Sequence, residues 1–357
     1  MATLSSHLLN SVNGTHASGV KVIINQISVS GERKIFFETE TDIGGRILKE
    51  FDAEGTTILK ANPNYWEGAP GLAEVHVIAI PDGEARVQAL LTGQIDMNRY
   101  VQFSQKKIFD GNSKFKTSVI PTGNWRGMVM NTERAPFDNP KVRKAVRLAV
   151  DRQELVDTVM GGEAVVSCDT PVAPTDQYRH NMSCKQNIAE AKKLLKEAGY
   201  PNGIEMVIHV STKEPTWPTI AEVIQQQVAK AGIKVDIKMT PSKSYWKETW
   251  MKKDVAMTRW NERSADSVLH EVYHSSAKWN ESYYKSSDFD KNLADARGEL
   301  DFKKRKALYV KAQHTLWEQS GTMIPYHVSK LVVTNSRVKN LDEVEVFSIQ
   351  WHKVKVD

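Results

Sequence analysis

No apolar run in this chain approaches the roughly 18 residues needed to cross a bilayer as a helix, which argues against a helical membrane protein. Cysteine is nearly missing, with two in 357 residues, so a disulfide-built scaffold is excluded. Charge of one sign is also missing. The 48 Lys and Arg stand against 43 Asp and Glu, a formal balance of +5, and acids are interleaved almost everywhere. A nucleic-acid surface needs clustered cations on one face, so none is expected. The local run Lys303-Lys304-Arg305-Lys306 follows Glu299 and Asp301 and reads as a solvated helix face. The first residues, Met1 to His7, carry neither a basic stretch nor an apolar core, so they are not a secretory signal, and taken alone they suggest a cytoplasmic chain. Common enzyme signatures are missing as well: no GxSxG elbow, no GxxxxGK[ST] phosphate loop, no GxGxxG after a strand and no CxxC pair.

What remains is an ordinary globular composition, 40% hydrophobic and 25% charged, with length for two or three domains. Val20–Val29 and Lys34–Glu38 are β-rich runs around the turn-like Ser30-Gly31-Glu32, which predicts a hairpin. Gly44-Gly45 then punctuates. Ile47–Phe51 and Thr57–Leu59 read as short strands around Ala53-Glu54-Gly55, and Val75–Ile80 as a third strand. Ala85, Ala89 and Leu90 share a helical face that Gly93 stops. Pro140 opens a helix carrying Val142, Val146, Ala149 and Val150, and a second helix runs from near Asp151 to Gly161-Gly162. Ile188, Ala191, Leu194, Leu195 and Ala198 form a stripe closed by Gly199 with Pro201 beyond. Strand 206–210, a helix with Ile220, Val223, Ile224 and Val228, and strand 233–237 follow in βαβ order, which predicts an α/β region with parallel pairing. Two more helices are expected near 289–300 and 302–319, then a β-rich stretch from Met323 to Val356. Cys168 and Cys184 bracket a polar loop, where a bridge would close about 16 residues; a bridge and two unrelated thiols both stay open.

Two constellations could carry chemistry. His270-Glu271-Val272-Tyr273-His274 spells HExxH, which on a helix would set His270 and His274 around zinc with Glu271 as general base. No third ligand stands at a defensible spacing, and His314 lies a full helix away, so a helix that spells the motif by chance is the preferred reading and no metal site is assigned. The other is an aromatic and polar cluster: Trp260, Asn261, Arg263 and Asp266 after the apolar stretch 255–257, Trp279-Asn280 and Tyr283-Tyr284 behind it, and Asn124-Trp125-Arg126 where two regions meet. Trp beside Arg at a strand end can stack on and clamp a polar ligand. Tryptophans buried in the core, with Arg263 and Asp266 paired to each other, would be the structural alternative.

The string Leu48-Lys49-Glu50-Phe51, Thr57–Gly68 with Asn62-Pro63-Asn64-Tyr65-Trp66, Val75–Pro81, Ala85-Arg86 and Leu91-Thr92-Gly93-Gln94-Ile95-Asp96 resembles the family 5 extracellular solute-binding proteins, receptors of ABC importers for peptides, opines and nickel. Asn131, Pro136–Asn139, Val142–Val146, Ala149–Arg152, Ala189–Gly203, Gly232–Val235, Phe289-Asp290, Arg305–Tyr309 and Ile324-Pro325 continue the likeness in order, over about residues 46–357. The resemblance implies an α/β, periplasmic-binding-protein-like fold of type II, cluster C: a two-lobed receptor that closes by hinge bending and presents its ligand to a membrane permease. Hinge strands would cross near Thr122-Gly123 and near Ile324. The domains implied are an atypical segment 1–45 with a β-hairpin, a partial first lobe of 46–122 plus 324–357, and a C-terminal α/β lobe of 123–323.

The same likeness places Asn124, Trp125, Arg126, Trp260, Asn261, Arg263, Asp266 and Asn280 at the ligand cleft. Dipeptide receptors carry an acidic residue three positions after the tryptophan, for the ligand's α-amino group; Arg263 stands there here. With Arg126 it favours an anionic or carboxylate-bearing solute, peptide-like or opine-like. Family members carry a signal peptide and an extra domain before the strand that starts near Arg46. About 40 residues precede it here, with Asp42-Ile43-Gly44-Gly45-Arg46 in place of a Gly-Thr-Gly-Pro-like run, so an N-terminally truncated receptor is expected. The remaining expectations are a monomer, no cofactor, no catalytic activity and a periplasmic or extracellular place. A remnant that binds no ligand and a zinc protease are the alternatives.

Overall fold

The computed structural model describes residues 2–7, 21–27, 33–40, 46–51, 56–341, 349 and 351–357. The turns read at 30–32, at 44–45 and at 53–55, the run 42–45 and most of 342–350 lie outside the described residues. The chain forms two compact units, Met1–Asp82 and Gly83–Asp357.

Among its described residues the smaller unit shows three antiparallel pairs. β1 (Ala2–His7) lies against β4 (Arg46–Phe51), β2 (Lys21–Ile27) against β3 (Arg33–Glu40), and β5 (Thr56–Lys60) against β6 (Glu74–Ile78). The expected hairpin is the β2–β3 pair. The strands expected on either side of residue 54 both form, but each takes a different partner, and β1 has no clear signature in the sequence.

The larger unit opens with α1 (Gly83–Leu91), whose buried side is Val87, Ala89 and Leu90. Ala85, expected on that side, is exposed. β7 (Met97–Val101), the long β8 (Phe115–Met130), α2 (Pro140–Leu148), α3 (Arg152–Met160), β9 (Ala164–Val166), α4 (Ile188–Glu197), β10 (Ile204–Val210), α5 (Trp217–Ala229) and β11 (Ile233–Met239) follow. Then come the single turn α6 (Tyr245–Glu248), β12 (Val255–Trp260), α7 (Ala265–Tyr273), α8 (Ser287–Gly298), α9 (Phe302–Gln319), β13 (Thr322–Asn335), β14 (Val338–Lys339) and β15 (Lys355–Val356).

Seven strands make one sheet in the order β11-β10-β12-β8-β13-β7, with β9 also on β13. β10 pairs in parallel with β11 and β12, as the βαβ pattern predicts, and β8, β13 and β7 pair antiparallel. At the head of β10, Gly203 sits at φ +89°, and a Cβ there would lie 1.8 Å from the Gly232 carbonyl oxygen. Only glycine lets the two parallel strands start side by side.

Alternation along the strands assigns each face its own core. Met128, Met130, Ile208, Val210, Val255, Met257 and Tyr326 pack with α2 to α5, while α7, α8 and α9 close a second core of Leu269, Tyr273, Phe289, Leu293, Tyr309 and Leu316. α1, β7 and Phe109 of the segment after β7 bury Val87, Leu90, Val101 and the Phe109 ring against Leu331 and Val333 of β13. Local signals start the helices where the sequence predicts: Asn139 caps α2 ahead of Pro140, and Asp151 caps α3, which ends on left-handed Gly161. α2 is anchored through cations rather than through its apolar stripe alone. Arg143 donates to the Gln319 carbonyl and Arg147 to the carbonyls of Leu316 and Glu318, at the C-terminus of α9 where the helix dipole is negative. Burial, with Arg147 beside it, pulls the Arg143 pKa down to about 10.

The question left open for the two cysteines is answered: Cys168 and Cys184 form a disulfide across 16 residues. The loop it closes is docked on β13. Asp169 exchanges hydrogen bonds with Ile324, its N–H to the carbonyl at 3.1 Å and its Oδ1 from the amide at 2.9 Å, and it forms a buried ion pair of 2.6 Å with Arg152. Reducing the bridge, or replacing Cys184 by Ser, is expected to lower stability by about 3 kcal/mol. A urea titration of the larger unit reads this as an earlier midpoint, and an unmoved midpoint would show that docking alone holds the loop.

Candidate functional site

The end of β12 gathers most of the expected residues. Register across the sheet sets Trp260 beside Trp125 of β8 and Trp125 beside His327 of β13, all on the face covered by α7 to α9. The neighbouring row, Arg259, Arg126 and Tyr326, faces the α2–α5 side. Trp125 and Arg126 therefore point to opposite faces, as adjacent strand residues must.

Trp260 is half-buried and held on several sides. Its indole Nε1–H donates to Glu281 Oε1 at 3.1 Å, its ring lies 5.7 Å from that of Trp279, and the Arg263 guanidinium sits 5.5 Å over it. Arg263 is itself aimed by Glu271, with Nε 2.9 Å from Oε2, and Ser267 donates to the other carboxylate oxygen at 2.7 Å. The glutamate of the HExxH string thus serves as an arginine partner. His270 and His274 have ring centroids 4.6 Å apart, but α7 ends at Tyr273, and His274 Nδ1 faces Ser276. Among the described residues no group of three or more His, Cys, Asp or Glu side chains could hold a metal ion.

Asn124 and Glu262 join β8 to the segment after β12. The Glu262 amide donates to Asn124 Oδ1 at 2.8 Å, and the Gly123 amide donates to Glu262 Oε2 at 2.7 Å. A Cβ on Gly123 would meet Glu262 Cγ at 2.5 Å, so the carboxylate reaches this amide because residue 123 has no side chain. Asn261 is exposed.

The remaining expected residues have structural partners. Arg126 Nε lies 2.8 Å from Glu214 Oε2, and the same carboxylate meets Arg259 Nε at 2.7 Å. Burial pulls the Arg126 pKa down while Glu214 acts against it. Arg126 and Arg263, expected to act together, answer to different acids on different faces. Asp266 pairs with Arg297 and accepts from the Tyr309 hydroxyl at 3.0 Å, not with Arg263. Burial acts to raise its pKa, but the Arg297 hydrogen bonds and charge together with Tyr309 hold it below the usual carboxylate range. Asn280 closes its own loop, donating to the Tyr284 carbonyl and accepting from the Tyr284 amide at 3.1 Å.

Sequence reasoning missed the acids that organise this region, Glu214, Glu262 and Glu281. None stands in a motif, and each matters through donors drawn from distant segments. It also missed His327, a fully buried imidazole that burial, with Arg179 nearby, pushes down to about 3.

Likenesses to known proteins fit this geometry. The fold is shared with HbpA2 from Haemophilus parasuis, which superposes with a TM-score of 0.75 at 24% identity, over 87% of this chain and 63% of its own. DppA from Helicobacter pylori, an ABC transporter-associated periplasmic binding protein solved with the peptide STSA, matches with a TM-score of 0.66 at 27% identity, over 86% of this chain and 62% of that one. Residues 47–280 match the family model for bacterial extracellular solute-binding proteins, family 5, and the chain belongs to that family. Its members are receptors rather than enzymes. The glutathione-binding protein GsiB of Salmonella typhi is 30% identical over 293 residues, covering 78% of this chain, and this chain matches 57% of the length of that relative.

The buried His327 gives a test of the packing beneath Trp125. Its folded pKa is depressed, so below the ordinary value near 6.5 the unfolded chain takes up a proton that the fold refuses. Its contribution to stability is complete above pH 6.5 and is lost as the pH falls toward 3. In His327→Gln the stability difference from wild type should shrink by about 1.4 kcal/mol per pH unit across that window. Parallel curves of unfolding free energy against pH would refute the assignment.

Proposed function

We propose that this chain is the substrate-binding component of an ABC-type importer. It captures a peptide-like or other polar, anionic solute and delivers it to a membrane permease. The observation that carries the proposal is Trp260, a tryptophan half-exposed at the carboxyl end of a strand whose indole N–H, ring edge and flanking arginine are all fixed by other residues. A preset aromatic face with a cation over it suits the backbone or carboxylate of a small polar solute. Membership in family 5 supports the same reading, as do the glutathione-binding relatives and the peptide bound to DppA.

The site in this proposal comprises Trp260, Arg263 and Asn261 from the β12 end, with Asn124 and Glu262 beside them; Arg126, on the other face and paired with Glu214, stands outside it. Trp125 lies beside Trp260 across the strand pair, while Asp266 and Asn280 fix their own segments through Arg297 and Tyr284. We put the hinge around residues 122–124 and 324–328, with lobes of 46–122 plus 324–357 and 123–323; the loss of register in the β8–β13 ladder at these places supports that division. The chain acts as a monomer in the periplasm or outside the cell. An opine-like acid belongs to the same solute class, because it offers a carboxylate to Arg263.

A thermal-shift screen with glutathione, trialanine, tetrapeptides and opine-like acids tests the reading. A competent receptor gains about 2.7 kcal/mol at a solute concentration of 100 Kd, and Trp260→Ala, which melts lower without solute because its packing and its hydrogen bond to Glu281 are lost, should show no further gain when solute is added. If millimolar solutes of all these kinds leave the melting temperature unmoved, the chain does not bind as proposed.

A further inference from the structure

Glu281 lies in the loop between α7 and α8, is 2% exposed, and accepts three hydrogen bonds: from Trp250 Nε1 and from the Thr258 hydroxyl at 2.6 Å on Oε2, and from Trp260 Nε1 at 3.1 Å on Oε1. The donors come from the turn after α6 and from two residues of β12. All three are neutral. No lysine, arginine or histidine pairs with this carboxylate among the described residues, although a buried carboxylate is ordinarily compensated by a cation. The titratable groups facing it from the packed elements are the phenols of Tyr245 on α6 and Tyr273 on α7, both kept neutral by burial.

Two indole N–H groups, which can only donate, and one hydroxyl select a carboxylate. A glutamine would turn its NH2 toward one of the indoles. A protonated acid can hand its O–H to the Thr258 hydroxyl, the one partner able to accept, and the indoles are then held by neutral rather than charge-assisted hydrogen bonds.

We propose that Glu281 is a positioning residue of the solute site: its carboxylate fixes the Trp260 indole through a charge-assisted hydrogen bond, and protonation of the carboxylate loosens that hold and weakens solute binding. The inference rests on the receptor reading given above. Burial pushes the Glu281 carboxyl up to about 7, against the hydrogen bonds from Thr258, Trp250 and Trp260, so the loosening falls in a physiological range. Binding is then tighter above neutrality, where the carboxylate is ionised, and weaker below it.

Indole N–H resonances of the full chain, with those of Trp260 and Trp250 assigned through Trp260→Phe and Trp250→Phe, should titrate together with a midpoint near pH 7. Trialanine, whose amino group stays largely protonated over the range, should bind about tenfold more weakly at pH 5.5 than at pH 7.5, the loss of one charge-assisted hydrogen bond. Glu281→Gln should bind weakly and equally at both pH values, and Glu281→Asp should restore the pH dependence. Should Glu281→Gln not fold, the wild-type titration and the two wild-type affinities decide alone. Equal wild-type affinities at both pH values, or indole signals that stay fixed from pH 5 to 9, overturn the proposal and leave the receptor reading standing. If trialanine binds at neither pH while another solute of the screen does, the same comparison with that solute decides. No binding by any of them removes the receptor reading, and this inference with it.

Discussion

Two long strands, β8 of 16 residues and β13 of 14, run antiparallel through the larger unit and pair along most of their length. Every other strand of the sheet, and through them both helical layers, hangs on this pair. An antiparallel ladder is stiff where its bonds are regular and yields where they are not. It is interrupted at Ile324-Pro325, since proline cannot donate to a ladder, and around Gly123, where the Thr122 hydroxyl bonds the Val328 carbonyl at 2.6 Å in place of a backbone donor. The Asp169 clamp on Ile324 and the Glu262 bond to the Gly123 amide attach at these same interruptions. The irregular places in the central pair are thus held by side chains from elsewhere, and the candidate site lies beside one of them.

A second common thread is the use of acids as receivers of hydrogen bonds. Glu271 aims Arg263, Glu214 bridges Arg126 and Arg259, Glu262 takes a backbone amide, and Glu281 takes two indoles and a hydroxyl. In each case the carboxylate fixes the geometry of a neighbour, and only in two of the four does it neutralise a positive charge. The side chains that a solute would meet are therefore positioned by residues that it would not touch.

Much of the fold could be read from local chemistry. Asn139-Pro140, Asp151, Gly161 and Gly199 mark helix ends because the capping interactions they make are local, and the 204–239 βαβ unit shows in its change of period. The pairing of β1 with β4 could not be read, since no residue in Ala2–His7 specifies a partner some 45 positions away. The site was legible in part. Trp260 and Arg263 stand out as residue types at a strand end, but Trp125 proves fully buried, and Asp266 and Asn280 prove to be tied to Arg297 and Tyr284. The acids that matter most were illegible, because a glutamate's burial depends on donors brought together only by the finished fold.

The outer strand β11 carries a further consequence. It is an edge of the sheet, and its sequence alternates buried Ile233 and Val235 with exposed Lys234, Asp236 and Lys238, Lys234 being paired to Glu205 of β10 at 2.9 Å. An edge with open backbone donors and acceptors invites another strand to add to it, and charged side chains along it make that addition costly. Substitution of Lys234 and Lys238 by residues such as Val or Thr would leave the fold's own contacts nearly intact while removing its guard against sheet-to-sheet aggregation.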